Sequence, residues 1–466
     1  TIATGHFTGI CVSACANTNS GEMPGGNSLK ATDIIDTFVT GIVIKNVPCK
    51  ADSAQTYALY IPAHYHNKAL PVMYFFDPHG DGSLPLNKYK GLADRYNFIL
   101  IGSNISKNGN DFSASENIWR VMFDDSKKRL LVNTDRIYAC GFSGGAKVAG
   151  YIGLHHAEIK GVIANGAGLP DATVAGDFNF SFTALAGQGD MNMTDLVATN
   201  SNFDKTQTKH RIILFAGKHE WAPETAMSVA FAGLQFDAMY HKLIAVNDTM
   251  ISNFVAGSKN DIAACLQGNN YLKAELQCKL CMNMLDGLSN EVAWFKQKDA
   301  VLQSDPVYQK QLQAEQKLFN AEQNAKGVFM QQFQQADMNY WIKTISELRT
   351  KSTVKTAEGA MNQRLLAYLS LAFYTISEQL ITAGQDKDGQ YFVALYKLSD
   401  PVNSEAWYFS AILNARKNDI KATENDLLMA VKYGFADKGR LLKEADFQKA
   451  GMQNILHIIL NKINTR

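Results

Sequence analysis

The chain has 466 residues, of which 46% are hydrophobic and 19% charged, a composition typical of a globular protein with about two or three domains. Lys and Arg number 45, Asp and Glu number 44, and the formal net charge is +1. This balance gives no electrostatic reason to expect nucleic acid or an anionic membrane surface as a partner. We identified no apolar run of about 18 residues, so the sequence predicts no transmembrane span.

Residues 1–36 are predicted to form a flexible N-terminal segment. Within it, residues 10–15 (Ile-Cys-Val-Ser-Ala-Cys) resemble the end of a bacterial lipoprotein signal, in which a small residue precedes an acylated Cys. Cys15 is therefore a candidate lipid anchor, and the polar stretch after it a candidate tether. Gly5 and His6 interrupt the apolar stretch that such a signal needs, so an N-terminus without an anchor is the alternative.

Residues 37–243 have the pattern of a mostly parallel, doubly wound α/β domain. Short apolar runs alternate with helical patterns, and several runs are continuously apolar, as strands buried on both faces of a parallel sheet are. The candidate strands are residues 38–47, 56–61, 72–76, 98–102, 136–142, 161–165, 182–186 and 212–216.

Residues 244–466 lack strand patterns and predict an all-helical domain. Pro306 and Pro401 fall where a helix could begin or end, and residues 308–337 predict one long, solvated helix. The spacing typical of a tetratricopeptide-like helical hairpin is found at Trp407, Ala411, Leu427 and Ala430. Stacked helical pairs leave a concave face for a protein partner, which predicts a separate attachment domain. The alternative is that these helices cover the edge of the sheet and stabilise it.

Cys278 and Cys281 are three positions apart on an amphipathic pattern, which places both on one helix face. A lone Cys-x-x-Cys without a second ligand pair is weak support for zinc or redox chemistry. We therefore expect a buried structural role for both residues and no metal site.

The strongest motif is Gly-Phe-Ser-Gly-Gly at residues 141–145, which fits the Gly-x-Ser-x-Gly pattern. It follows a predicted strand and precedes small and apolar residues, 146–152, that suit a helix. Glycines at both ends would relieve the backbone crowding of a strained strand-to-helix turn. The helix N-terminus behind Ser143 favours developing negative charge, so Ser143 is the candidate nucleophile. A structural Gly/Ser turn is the alternative.

His219 is the candidate general base for this serine. It follows the predicted strand 212–216 directly, in Gly-Lys-His-Glu-Trp at residues 217–221, and it lies 76 positions after Ser143 (219 − 143). A loop after the last strand, in the chain order Ser, acid, His, is where such a base is expected. An ordinary exposed loop His is the alternative.

Asp190 is the candidate acid that orients this imidazole. It ends the turn Gly-Gln-Gly-Asp that follows the predicted strand 182–186, which brings it to the carboxyl edge of the sheet. Asp195 and Asp171 also follow strands and remain the alternatives.

An oxyanion hole needs two backbone N–H donors. Gly144, directly after the nucleophile, is one candidate. The second is expected in the loop of residues 75–82, where Pro78 has no N–H, so we favour His79 over Asp77 or another neighbour. Aromatic residues that could line an acyl pocket, with a place in the core as the alternative, are Phe142, Trp119 and Trp221.

Residues 37–240 resemble secreted esterases of the α/β-hydrolase superfamily, near the polyhydroxybutyrate depolymerase, feruloyl esterase and dienelactone hydrolase branch. The segments that carry the resemblance are residues 57–62 (Tyr-Ala-Leu-Tyr-Ile-Pro), 135–138 (Asp-Arg-Ile-Tyr), 141–145, 187–190 and 217–221. Asp-Pro-His-Gly at residues 77–80 departs from the simple His-Gly turn of that group. The resemblance implies hydrolysis of a small ester without a metal or cofactor. Together with appended helical repeats, it implies a bacterial protein in the periplasm or at the outer membrane.

Two other functions remain open at this point. A serine peptidase would use the same three side chains to cleave an amide, although no peptidase cap or propeller pattern is present in the sequence. A non-catalytic interaction scaffold in an envelope complex would use the helical repeats alone. The retention of Ser143, His219 and Asp190 together favours an enzyme over a scaffold.

Overall fold

The computed structural model describes residues 36–171, 176–449 and 451–464. The predicted flexible segment, apart from Asp36, and the candidate lipid anchor Cys15 lie outside these residues.

A single sheet lies at the centre of the first half of the described chain. Its strands are β1 (Val43–Pro48), β2 (Thr56–Tyr60), β3 (Leu70–Phe76), β4 (Ile99–Ser103), β5 (Val132–Phe142), β6 (Ile159–Asn165), β7 (Ser181–Gly187) and β8 (His210–Phe215). Their spatial order is β1-β2-β4-β3-β5-β6-β7-β8. The pairs β1–β2 and β2–β4 are antiparallel, and every pairing from β4 to β8 is parallel.

The eight predicted strands are all present. The fifth begins at Val132, four residues before the predicted residue 136, and the largest difference is at the start of β1. The strand β1 begins at Val43 instead of residue 38. Gly41 has a φ of +76°, and its N–H donates to Ile61 O at 2.9 Å, so the chain turns before the strand starts. A left-handed glycine interrupts extended backbone in this way.

Helices cover both faces of the sheet, which explains the continuously apolar strands. In β3, Met73 and Phe75 belong to the core on one face, whereas Val72, Tyr74 and Phe76 belong to the core on the other. Side chains alternate between the faces of a strand, so a strand with two buried faces is apolar at every position. The helices in this half are α1 (Ser83–Tyr96), α2 (Phe112–Arg129), α3 (Gly144–His155), α4 (Met193–Asn202) and α5 (Glu224–Tyr240).

The described part of the second half is helical, as predicted. Its helices are α6 (Asp248–Gln267), α7 (Tyr271–Leu285), α8 (Val292–Gln303), α9 (Pro306–Gln332), α10 (Met338–Ser352), α11 (Ala357–Thr382), α12 (Asp386–Ser399), α13 (Ser404–Arg416), α14 (Ile420–Lys432), α15 (Lys438–Lys443) and α16 (Gln453–Asn464). Pro306 occupies the first turn of α9 and Asp305 caps that helix through Val307 N. Pro401 lies between α12 and α13, so both prolines are at the predicted boundaries.

The core on one face of the sheet does not end at the predicted boundary between residues 243 and 244. It continues from α5 into α6, α7 and α8 as far as Leu302, and the rings of Phe236 in α5 and Phe254 in α6 lie 5.2 Å apart. A separate core joins α9 to α16. The packing therefore places α6–α8 with the sheet, as the covering alternative requires, and the second core begins near α9.

Cys278 and Cys281 lie fully buried on α7 within the first of these cores. Burial raises the pKa of each thiol to about 12, so both are protonated at neutral pH. Their predicted structural role is consistent with this placement.

Successive helices from α10 to α14 pack on their neighbours. Ala411, Leu427 and Ala430 are buried in the core that α13 and α14 share, and Trp407 is partly buried and donates from its indole N–H to Pro401 O at 2.9 Å. Helical pairing is present, and its assignment as tetratricopeptide-like remains a prediction.

The helix α9 confirms a long solvated helix, but it ends at Gln332 and not at the predicted residue 337. It has 27 residues, and its buried members are Tyr308, Glu322 and Phe329. Glu322 is unexpected among them, because a carboxylate is rarely buried unless it is paired.

Within the described residues, α11 is the one helix that is long and apolar enough to cross a membrane by length and composition. Its apolar side chains Leu365, Leu369 and Phe373 are buried against neighbouring helices. It also carries the buried, ion-paired Arg364. This packing is that of a core helix in the helical domain.

Candidate active site

Ser143 lies on a sharp turn between β5 and α3. Its φ and ψ are 53° and −121°, a conformation that residues other than glycine rarely adopt. A Cβ on Gly145 would lie 2.0 Å from Phe76 O, and one on Gly141 would lie 2.0 Å from Gly145 O. The crowding predicted on both sides of the serine is therefore present, and glycine relieves it.

The structure brings three predicted side chains into one hydrogen-bonded series. His219 Nε2 lies 2.9 Å from Ser143 Oγ, and His219 Nδ1 lies 3.0 Å from each carboxylate oxygen of Asp190. Asp190 is fully buried and the His219 side chain is 21% exposed. A carboxylate at Nδ1 favours a proton on that nitrogen, which leaves Nε2 to accept the hydroxyl proton of Ser143.

The turn that carries Asp190 is fixed to the end of β8. Gln188 N donates to Phe215 O at 2.9 Å, and Gly189 N donates to Gly217 O at 2.8 Å. Asn192 N donates to Asp190 Oδ1 at 2.9 Å, which orients the carboxylate itself. The buried position beside His219 thus belongs to Asp190.

The two alternative acids lie elsewhere. Asp195 is exposed in the first turn of α4, and Asp171 is exposed beyond the end of β6. Neither shares the burial of Asp190, whose two carboxylate oxygens each lie 3.0 Å from His219 Nδ1.

Asn165 positions the loop of His219 and was missed in the sequence. Its side chain accepts a hydrogen bond from Ala222 N at 2.7 Å and donates to Glu220 O at 3.2 Å. The side chain is fully buried at the end of β6. A polar residue that ends an otherwise apolar strand was the available signal, since a buried amide requires partners.

Asp77 holds the other side of the same loop. It is buried and accepts hydrogen bonds from Trp221 Nε1 at 2.9 Å and from His79 N at 2.8 Å. Burial raises the pKa of Asp77, but the hydrogen bonds from His79 and Trp221 outweigh burial and hold the pKa below its usual value. Asp77 therefore stays ionised at neutral pH.

The same contact changes the interpretation of His79. Its N–H, which we predicted as an oxyanion donor, is directed at the carboxylate of Asp77 and is engaged there. Asp side chains commonly accept from the N–H two residues on, so the spacing of Asp77 and His79 itself favours this local turn. Gly144, the other predicted donor, begins α3, and an N–H in the first turn of a helix has no acceptor within that helix.

The predicted aromatic residues divide between the site and the core. The Phe142 ring lies 4.7 Å from the His219 ring, which places it beside the site. Trp221 lies 5.6 Å from Phe142 and packs in the core against Phe75 and Tyr89. Trp119 is 1% exposed. Its ring neighbours are Tyr74, Phe123 and His156. These contacts are those of a core side chain and not of a pocket wall.

Asn108 is a second residue that the sequence did not indicate. A Cβ on Gly144 would lie 1.9 Å from Asn108 Oδ1, so this amide is in close contact with the residue after the nucleophile. Asn108 N donates to Pro78 O at 2.8 Å, which ties the loop after β4 to the loop after β3. Only the packing of two loops distant in sequence brings Asn108 to the serine.

Metal ligation finds no support in the described ranges, which contain no group of three or more His, Cys, Asp or Glu side chains suited to an ion. The chemistry that the arrangement can perform is proton transfer between a serine hydroxyl and an imidazole, with a carboxylate behind it.

The mostly parallel sheet, with helices on both faces and a serine on a strained strand-to-helix turn, defines an α/β-hydrolase fold. An all-helical region follows it. No family model and no curated protein matches the chain.

The chain is similar to solved structures of hydrolases over about two fifths of its length. The Pyrobaculum calidifontis esterase is 10% identical, with 43% of this chain and 85% of that chain covered and a TM-score of 0.34. The Staphylococcus aureus fluorophosphonate-binding serine hydrolase F is 12% identical, with 42% of this chain and 99% of that chain covered and a TM-score of 0.34. EstE1, a thermophilic carboxylesterase from a metagenomic library, is 11% identical, with 43% of this chain and 91% of that chain covered and a TM-score of 0.35. Similarity this low carries no argument about activity, which depends on the site itself.

Proposed function

We propose that this protein is a serine hydrolase that cleaves carboxylic esters through an acyl-enzyme. The observation that carries the proposal is the hydrogen-bonded series from Asp190 through His219 to Ser143, with the serine on its strained turn. A nucleophile bonded to a base, and a base oriented by a third group, is the arrangement that activates a serine.

In the proposed reaction, Ser143 Oγ attacks the ester carbonyl while His219 Nε2 accepts its proton. Asp190 stabilises the imidazolium that forms. The tetrahedral intermediate then expels the alcohol, to which His219 returns the proton. Water attacks the acyl-enzyme with the same base, which releases the carboxylic acid and restores Ser143.

The developing oxyanion requires donors near Ser143. Gly144 N–H supplies one, supported by its place at the N-terminus of α3. His79 N–H supplies the second only if it leaves the carboxylate of Asp77 when substrate binds. Catalytic hydrogen bonds often form only in the substrate complex. We therefore propose Gly144 N–H as one donor, and His79 N–H as the second if substrate binding frees it.

Reaction with a fluorophosphonate probe tests the proposal. The wild-type protein should be labelled at Ser143, and it should hydrolyse a p-nitrophenyl butyrate ester. Ser143→Ala should lose labelling and should lose about 10³-fold or more in turnover. Ser252→Ala, which changes an exposed serine on α6, is the matched control and should behave as wild type. Wild-type turnover in Ser143→Ala would refute the proposal.

The same assay separates the two other functions. A peptidase would also cleave the p-nitroanilide with the same butyryl group, although more slowly than the intrinsically more reactive ester, whereas an esterase would leave the anilide uncleaved. A scaffold would leave the probe and both substrates unreacted. Cleavage of the ester without cleavage of the anilide supports the esterase.

An extracytoplasmic lipoprotein remains a proposal that the described residues do not address. Incorporation of a labelled fatty acid into the full-length protein, and its loss in Cys15→Ser, would support an anchor at that position. Equal incorporation in both proteins would exclude it.

A further inference from the structure

A buried group of charges lies where the helical domain contacts the α/β domain. Glu322 in α9 is fully buried, and its Oε2 accepts from Arg364 Nε at 2.8 Å and from Arg364 Nη2 at 2.6 Å. Lys326 Nζ lies 3.1 Å from Glu322 Oε1. Pairing offsets the cost of burying these charges, but a buried ion pair is often no more stabilising than apolar side chains of the same volume, so stability alone does not explain the group.

The two cations of this group also bind the turn that carries Asp190. Arg364 Nη1 donates to Gln188 O at 2.7 Å, and Lys326 Nζ donates to Met191 O at 3.5 Å. These two carbonyls flank Asp190 on either side in the sequence. Contacts from the helical domain therefore reach the backbone within two residues of the carboxylate that orients His219.

The turn is also tightly covered at its middle. A Cβ on Gly189 would lie 2.5 Å from Gln363 Oε1. The N–H groups of Gln188 and Gly189 bond to the end of β8, whereas the Gln188 carbonyl bonds to Arg364. The turn is thus held from two sides, once by its own sheet and once by α11.

We propose that Arg364, held in place by Glu322, is a positioning residue that fixes the Asp190 carboxylate against His219. This inference rests on the proposed function and deepens it, because it makes the helical domain part of the catalytic apparatus. A misplacement of about 1 Å in a catalytic group can cost about 10²-fold in rate. A turn braced from both sides restricts such a displacement.

Arginine is required here by geometry. Its Nε and Nη2 bind Glu322 while Nη1 is left to reach Gln188 O. A lysine presents one compact ammonium group and cannot hold both partners in this fixed fork. Arg364→Lys therefore keeps the positive charge beside Glu322 but releases the Asp190 turn.

Another contact between the two halves is different in kind. Lys107 Nζ lies 3.7 Å from Asp437 Oδ2, and both side chains are partly exposed. Exposed pairs of this type contribute little, because water screens them. The Arg364 contact is buried and directed at backbone, which suits positioning.

The test uses the full-length protein and three variants. Arg364→Lys releases the turn. The double variant Arg364→Met with Glu322→Met replaces the Arg364–Glu322 pair by apolar groups, so that neither member of that pair is left buried and unpaired; Lys326 loses its carboxylate partner and keeps its contact with Met191 O. Arg416→Lys is the matched control. Arg416 pairs with two carboxylates and donates to Ile381 O at 2.9 Å, an arrangement like that of Arg364 but wholly within the helical domain.

For p-nitrophenyl butyrate we expect kcat to fall by about 10- to 100-fold in Arg364→Lys and in the double variant, with KM changed by less than about twofold. Arg416→Lys should keep the wild-type kcat. Hydrogen exchange at the amides of residues 187–192 should become faster in the Arg364 variants alone. An unchanged kcat in both Arg364 variants would overturn the inference, as would an equal loss in Arg416→Lys.

Failure of the proposed function gives a distinct result. If the wild-type protein does not react with the fluorophosphonate probe, the esterase proposal fails whatever the variants do. Hydrogen exchange then tests by itself whether Arg364 holds the turn of Asp190. Faster exchange at residues 187–192 in Arg364→Lys supports it, and unchanged exchange overturns it.

Discussion

Replacing Asp190 by Asn is the most informative single change at the site, because it alters the carboxylate without altering its shape. Asp190 is fully buried, and its Oδ1 accepts from Asn192 N at 2.9 Å. In the variant, the amide oxygen keeps this partner, which places the amide NH2 at the former Oδ2 position; both positions lie 3.0 Å from His219 Nδ1. The NH2 group is a donor and the amide carries no charge, so a proton on Nδ1 loses the stabilisation of the carboxylate and the tautomer with the proton on Nε2 is favoured.

The magnitude follows from this change of tautomer. His219 Nε2, 2.9 Å from Ser143 Oγ, would then carry a proton and could not accept one. We expect kcat to fall by about 10³- to 10⁴-fold, which corresponds to about 4 to 5.5 kcal/mol of transition-state stabilisation. Stability should change little, since Asn has nearly the same volume.

Initial rates with p-nitrophenyl butyrate measure the loss, and thermal unfolding checks that the variant is folded. Asp195→Asn is the matched control and should stay within about twofold of wild type, because Asp195 is exposed on α4. Asp190→Asn with more than about a tenth of the wild-type kcat would refute the reasoning. A large loss in Asp195→Asn instead would move the acid to that residue.

Three further outcomes are expected. Gly145→Ala places a Cβ 2.0 Å from Phe76 O and should lower the free energy of unfolding by about 1 to 3 kcal/mol in urea denaturation. The pKa of Asp77 is lowered in the folded protein, so wild type should be more stable than Asp77→Asn. This difference in stability should be full above about pH 4 and should decrease as the pH falls through the lowered pKa. Denaturation curves of both proteins at about pH 3 and about pH 6 measure the difference. Cys278 and Cys281, buried with raised pKa values, should resist iodoacetamide in the native protein and react in denaturant, as peptide mass spectrometry would report.

The strands could be predicted because their signal is local. A strand buried on both faces is apolar at each position, and turn residues mark its ends. Where a left-handed glycine intervened at Gly41, the predicted start of β1 was too early by five residues (43 − 38). The helical half was also recognisable from its periodicity alone.

The contacts of the site residues could not be predicted from local sequence patterns. Asn165, Asp77 and Asn108 each act through contacts between loops that are far apart in the sequence. His79 was chosen because it follows Pro78, yet a carboxylate two residues earlier engages its N–H. The sequence around Trp119 would be apolar whether its side chain lay in the core or lined a pocket, so only the packing distinguishes these two environments.

Sequence alone was enough to predict the chain order of strands and helices, the serine turn and the loops that carry Ser143, His219 and Asp190, because parallel strands deliver their following loops to one edge of the sheet. Tertiary structure alone decided which surfaces meet. It extended the sheet's core through α8, and it brought Arg364 to a carbonyl 176 residues earlier in the chain. Periodicity specifies that a face is buried, but the partner of that face is set by packing across the whole chain.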